Sequence, residues 1–193
     1  MLLSGYTKDK DGNAIAGAVV EVKDAQFQTI YQAQSDIQGY YSIELPAGKY
    51  PFLTAVRDYG VDYLEYWCQN INLTQDMSLD IRFDSLEIYG LHAFEVKGAY
   101  PSLMVYFRPM SLEKYKKGEP DISPEINSIR AFIDGKAVSV LMENKVREYI
   151  GEDCMSAFLI QIALPADDRA WNRLDVEVRD NSNAFGTATI FSC

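Results

Sequence analysis

Apolar side chains recur at every second position through most of this chain. Ala18-Val19-Val20-Glu21-Val22-Lys23 alternates, as do Gly39–Leu45 and Leu79-Asp80-Ile81-Arg82-Phe83. Leu174-Asp175-Val176-Glu177-Val178-Arg179 alternates most cleanly of all. A period of two puts one set of side chains on each face of a strand, one face buried and one solvated. Turn signals separate these runs: Asp11-Gly12-Asn13, Ala16-Gly17, Ile37-Gln38-Gly39, Pro46-Ala47-Gly48, Asp134-Gly135 and Asp180-Asn181-Ser182-Asn183. Short strands at this spacing belong to antiparallel sandwiches and exclude a parallel α/β sheet. The expected fold class is all-β.

Helical signal is thin. Met110–Lys117 carries Ser111 as a possible N-cap and ends at Gly118, which predicts one or two turns. Asp167–Trp171 could make another turn. The stretch 109–126 holds three of the seven prolines and is expected to be irregular.

A length of 193 residues allows one large domain or two small ones. About seven strand-like segments precede Phe83, and a fresh series starts at Leu86: Leu86–Val96, Leu103–Phe107, Ile129–Ile133, Ala137–Leu141, Met155–Leu164, Leu174–Arg179 and Gly186–Phe191. Two β-sandwich domains in tandem are therefore expected, 1–83 and 84–193. Their connector, Phe83-Asp84-Ser85, is too short for free hinging.

Composition removes whole function classes. A net charge of −10 argues against nucleic acid and against an anionic membrane surface. No apolar run approaches the roughly 18 residues of a membrane helix. The first residues lack the pattern of a signal peptide, which leaves either a cytoplasmic protein or a trimmed leader. Three cysteines, Cys68, Cys154 and Cys193, allow at most one bridge and read best as structural or free thiols. His92 is the single histidine, so no zinc site and no ordinary Ser-His-Asp device is expected. Paired carboxylates among 28 acidic residues carry no specificity. Lys114–Lys117 is too short a basic run for a nucleic-acid footprint.

The turn residues of the first half fall in a familiar order. Gly5-Tyr6-Thr7, Asp9, Asp11-Gly12-Asn13, Ile15, Gly17-Ala18, Val20 and Val22 come first; Ser35-Asp36, Gly39-Tyr40-Tyr41, Ile43, Leu45-Pro46, Gly48 and Tyr50 follow. This order resembles the carboxypeptidase regulatory-like domain, a transthyretin-like sandwich, over residues 3–83. The resemblance implies a non-catalytic accessory module of secreted or surface proteins. In this reading Gly17-Ala18 lets two strands approach closely. A related pilin and adhesin repeat forms a Lys–Asn isopeptide; Lys8 could sit in its strand, but Pro51–Val56 supplies no catalytic acid. The enzymes of this fold need several histidines, which one histidine cannot supply. Residues 84–193 are similar, more loosely, to bacterial immunoglobulin-like domains, through the Ile129–Val138 hairpin and the Leu174–Ala188 region.

Two oxygen-rich turns, Asp9/Asp11/Asn13 and Asp180/Asn181/Asn183, raise calcium as an alternative. The first lacks the bidentate Glu, residue 20 being Val20, so both read better as Asx turns. Asn72-Leu73-Thr74 fits a glycosylation sequon. The richest binding signal is Asp58–Trp67, with four rings among ten residues. Tyr59, Tyr63, Tyr66 and Trp67 are the candidate ligand-binding residues, suited to stacking on sugar or to protein contact. Alternation puts Tyr63 and Trp67 on one face and Tyr66 on the other, so part of this set must be structural. No catalytic residue, metal or cofactor is expected. The chain reads as a non-enzymatic binding or adhesion module of a bacterial surface or secreted system, contacting glycan or protein, with a structural spacer of an extracellular assembly as the alternative.

Overall fold

The computed structural model describes residues 1–96, 100–151, 153–164 and 170–192. The protein is all-β and sandwich-like. Its first short sheet centres on β1 (Leu2–Lys8). The longest sheet runs through β2 (Val19–Lys23), β3 (Thr29–Gln34), β5 (Gly48–Val56) and β6 (Tyr66–Leu73). Beside β1 lie β4 (Tyr40–Glu44), antiparallel, and the two-residue strands β7 (Met77–Ser78) and β8 (Ile81–Arg82), both parallel.

The second half adds β9 (Leu86–Glu95), β10 (Ser102–Ser111), α1 (Leu112–Lys117), β11 (Ile126–Ile133), β12 (Lys136–Val138), β13 (Val140–Ile150), β14 (Asp153–Ala163), β15 (Arg173–Asp180) and β16 (Phe185–Phe191). One layer is β13-β14-β10-β9. The other does not stand alone. β16 pairs in parallel with β6, Ala188 beside Trp67 and Thr189 beside Cys68, so one eight-stranded sheet runs β12-β11-β15-β16-β6-β5-β2-β3.

Buried residues gather in two clusters, one from Leu3 to Phe83 and one from Leu86 to Ile190. Register decides how the long sheet serves both. Cys68 and Tyr66 belong to the first cluster, while Ala188, beside Trp67, belongs to the second. Neighbouring side chains point to opposite faces. The sheet therefore packs its β3-β2-β5-β6 half against β1 on one face and its β16-β15-β11-β12 half against β9-β10-β14 on the other. Each junction leaves a step, one on each side of the sheet.

Local expectations mostly hold. Ser111 caps α1, accepting from Lys114 N, and Gly118 closes it with a left-handed φ of 67°. The Ile129–Val138 hairpin turns at Asp134-Gly135, both at positive φ. The proline-rich stretch needs a correction, because β10 runs through Pro109. Its pairing with β14 ends at Phe107, so Pro109 faces a ladder partner only in β9. Beyond that point Asp121 takes over, accepting from the amide and hydroxyl of Ser156. Gly17 is not a close approach: it sits in a turn at φ 75° with no backbone near its Cβ position. Ala137–Leu141 is not one strand but the end of β12 and the start of the long β13. The turn expected at 167–171 and Cys193 fall, in whole or part, outside the described residues. Cys68 and Cys154 are free thiols. No helix among the described residues is long and apolar enough to cross a membrane.

Candidate functional site

The step on the Trp67 side is an open cleft of about 390 Å³. Its floor is the outward face of the long sheet, where Phe52 of β5 and Trp67 and Gln69 of β6 stand side by side. The opposite wall is the outer face of the second layer. Tyr89 and His92 reach it from β9, Tyr106 from β10 and Glu148 from β13. Tyr106 points there because Val105 and Phe107, its neighbours, point into the core. Pairing skips one residue between Tyr106/His92 and Arg108/Tyr89; this bulge at Gly90-Leu91 keeps both Tyr89 and His92 on the cleft side.

Trp67 is the centre of an aromatic cluster. Phe27 stacks on it with centroids 5.2 Å apart, and Phe52 and Tyr89 meet it edge-on at 6.5 and 5.3 Å. Phe27 arrives from the β2–β3 turn at φ 63°, a conformation that costs a bulky residue of order 1–3 kcal/mol. The turn is held by Asp24, whose carboxylate accepts from Gln26 N and Gln28 N. Lys23 Nζ lies 4.8 Å over the Phe27 ring and is itself paired with Glu21 at 2.7 Å. Phe27 and Tyr89 remain 41% and 39% exposed.

Behind the floor lies a buried carboxyl. Glu87 accepts from Trp67 Nε1 at 2.8 Å, from Glu65 N at 3.3 Å and from Tyr59 Oη at 3.4 Å. All three donors favour the ionised form, yet burial dominates, and with the nearby Glu65 carboxylate it raises Glu87 to about 7. Glu65 is raised by its own burial, against a hydrogen bond from Thr54.

The wall is electrostatically closed on itself. Glu148 accepts from Tyr106 Oη at 2.6 Å and pairs with Arg108 at 3.1 Å. Burial, with Glu148 second, pushes the Tyr106 hydroxyl up to about 12. The Arg108 guanidinium lies 4.7 Å over the Tyr89 ring, and its buried Nε has no hydrogen-bond partner among the described residues. Two polar groups stay available. Gln69 spends its amide on Leu91 O, leaving its carbonyl oxygen, and exposed His92 has no hydrogen bond among the described residues.

Of the four residues expected to bind ligand, the structure places only Trp67 in this cleft. Tyr66 must be withdrawn: it is 2% exposed, and its hydroxyl donates to Thr189 Oγ1 at 2.7 Å. Tyr63 is half-buried edge-on against Phe83 in the first cluster, so it too is packing. Tyr59 is exposed on the Gly60 turn and reaches the cleft indirectly, through Glu87. Phe27, Phe52, Tyr89, His92, Tyr106 and Glu148 were not singled out as ligand-binding residues. They come from five segments, and no short spacing links them.

The two oxygen-rich turns are Asx turns. Asp9 accepts from Asp11 N, Asn13 N and Asn13 Nδ2, which holds its carboxyl below the ordinary value against burial. Asp180 accepts from Ser182 N and Ala184 N. Among the described residues no three His, Cys, Asp or Glu side chains gather as a metal site. Lys8 pairs with Asp80 at 3.1 Å.

No protein-family model and no curated protein matches the chain. Among solved structures, similar chains include a DUF3823 family protein from Bacteroides ovatus and BcpA, the major pilin subunit of Bacillus cereus. The first is 12% identical with a TM-score of 0.34, covering 98% of each chain. The second is 12% identical with a TM-score of 0.33, covering 98% of this chain and 67% of the pilin.

Proposed function

We propose that this chain is a non-catalytic binding module of a bacterial surface or secreted system, and that the aromatic cleft receives its ligand, a glycan or a protein. The surface assignment comes from the resemblance of residues 3–83 to the carboxypeptidase regulatory-like domain, with 84–193 as a second, immunoglobulin-like unit. The observation that carries the binding reading is Phe27. A phenylalanine held in a left-handed turn, two-fifths exposed and stacked on Trp67, costs stability and contributes only part of its surface to packing. Such an outlier is expected where a surface is built for contact.

The same cleft argues against chemistry. Among the described residues its lining has no Ser, Thr or Cys nucleophile. Glu87, the carboxyl whose raised value would suit an acid, is spent on Trp67, Tyr59 and Glu65 and lies behind the floor.

Trp67 reports on its own site. Trp171 is the second of the two tryptophans, so under tryptophan-selective excitation the Trp171→Phe protein emits from Trp67 alone. Titration of that protein with oligosaccharides and short peptides is expected to shift its emission for at least one of them, and a Phe27→Ala/Tyr89→Ala double change to abolish the shift. Recovered ligand should have unchanged mass. If no probe moves the emission, the spacer reading stands instead; a cleaved ligand would make the chain an enzyme.

A further inference from the structure

We propose that the cleft selects a neutral pyranose of one or two rings and discriminates against both acidic and amino sugars; this rests on the cleft being the binding site.

Both cations near the exposed rings are already committed. Lys23 lies over Phe27 and is paired with Glu21; Arg108 lies over Tyr89 and is paired with Glu148. A cationic ligand would seek the faces of Phe27 and Tyr89 and meet Lys23 and Arg108 beside them. Among the described residues of the lining the nearby Lys and Arg are each paired, so an anionic ligand finds no free Lys or Arg to offset its desolvation and meets the Glu148 carboxylate instead. Both signs of charge are disfavoured by the same two ion pairs.

A wholly apolar ligand is disfavoured for another reason. It would cover the Gln69 carbonyl oxygen and the His92 ring nitrogens and leave them unpaired, at about 1–3 kcal/mol each. The favoured ligand therefore carries hydroxyls on its edge and an uncharged C–H face. The hydroxyls can donate to Gln69 and exchange donor and acceptor roles with His92. The C–H face can rest on the exposed part of the Tyr89 ring that the Arg108 guanidinium leaves uncovered. A pyranose has both. A cleft of about 390 Å³ lies at the small end of the roughly 300–1,000 Å³ of ligand sites, room for one or two rings.

The test uses the full Trp171→Phe chain. Cellobiose, maltose, lactose and mannobiose are the neutral probes, digalacturonate the anion and chitosan disaccharide the cation. At least one neutral disaccharide should shift Trp67 emission at a concentration tenfold or more below either charged probe. His92→Ala and Gln69→Ala should each weaken that binding about tenfold. The thermal melt should stay unchanged in His92→Ala, whose exposed side chain has no hydrogen bond among the described residues, and fall slightly in Gln69→Ala, which loses the bond to Leu91 O. A charged disaccharide that binds as tightly as the best neutral one overturns the selection while leaving the cleft a binding site. A short peptide that alone moves the emission does the same. Silence from every saccharide and peptide sinks both readings together.

Discussion

Glu87 shows how a single side chain ties the cleft to solution conditions. Its carboxyl holds a proton to about pH 7 in the folded chain, against 4.5 for a free side chain. The folded state thus binds more protons than the unfolded state across that interval. The sign is fixed by linkage: this group's contribution to stability is fully present below about pH 4.5 and is lost as pH rises to its folded value near 7, about 3 kcal/mol in all. Glu65, raised by burial, works in the same direction. Glu87→Gln keeps an acceptor for Trp67 Nε1 and removes the buried charge. Denaturant unfolding at pH 5 and pH 8 should show wild type losing stability with pH and the variant losing clearly less; equal losses would remove Glu87 as the cause. At this scale the sequence was informative only in part. Trp67 stood out inside a run of rings, but alternation could not say that Tyr66 would spend its hydroxyl on Thr189, a residue far along the chain. Nor does anything near Glu87 mark it as different from 27 other carboxylates.

Among the elements, strands with one wet face were legible and the others were not. β15 and β4 alternate in sequence and alternate in burial. β13, Val-Leu-Met-Glu-Asn-Lys-Val-Arg-Glu-Tyr-Ile, carries charges on both faces and leaves Leu141, Met142 and Tyr149 exposed. It is an edge strand paired only with β14, so no face of it had to be apolar, and periodicity missed it. Close approach between strands was equally hidden, since a glycine in a strand looks the same whether it is needed or not. Gly5 and Gly186 are the needed ones. A Cβ on Gly5 would lie 2.1 Å from Leu79 O, and one on Gly186 would lie 2.5 Å from Leu86 O. Both neighbours are backbone, so relief requires moving a strand. Gly5→Ala and Gly186→Ala should each destabilise by about 1–3 kcal/mol or more, read as a lower denaturant midpoint. A midpoint within error of wild type in either would mean the strands separate at no cost.

The whole molecule is joined by contacts that no local pattern contains. β6 and β16 lie in different halves of the chain, and their parallel pairing at Trp67–Gln69 and Ala188–Ile190 makes one sheet of two. Each cluster then borrows from the other half: Trp67 packs on the second, and Phe191 on the first. Polar ties run across the same seam. Tyr66 donates to Thr189, Thr187 donates to Arg82 O at 2.6 Å, and Arg82 pairs with Glu177 at 3.1 Å. If residues 1–83 unfolded alone, β16 would lose its partner and the second cluster would lose Trp67; the reverse loss follows if 84–193 opened first. Three ladder pairs, one buried hydroxyl bond and two exchanged aromatic rings together amount to several kcal/mol of coupling, comparable to the stability of a small unit. The chain should therefore unfold as one unit. Scanning calorimetry of the full chain should give one transition with a calorimetric enthalpy equal to the van't Hoff enthalpy. Tyr66→Phe, which deletes one tie and keeps the ring, should lower the melting temperature by a few degrees, as expected for about 1 kcal/mol, without splitting the peak. Two resolved transitions in wild type, or a calorimetric enthalpy near twice the van't Hoff value, would mean that the shared sheet does not couple its halves and that the cleft between them can change shape as they move.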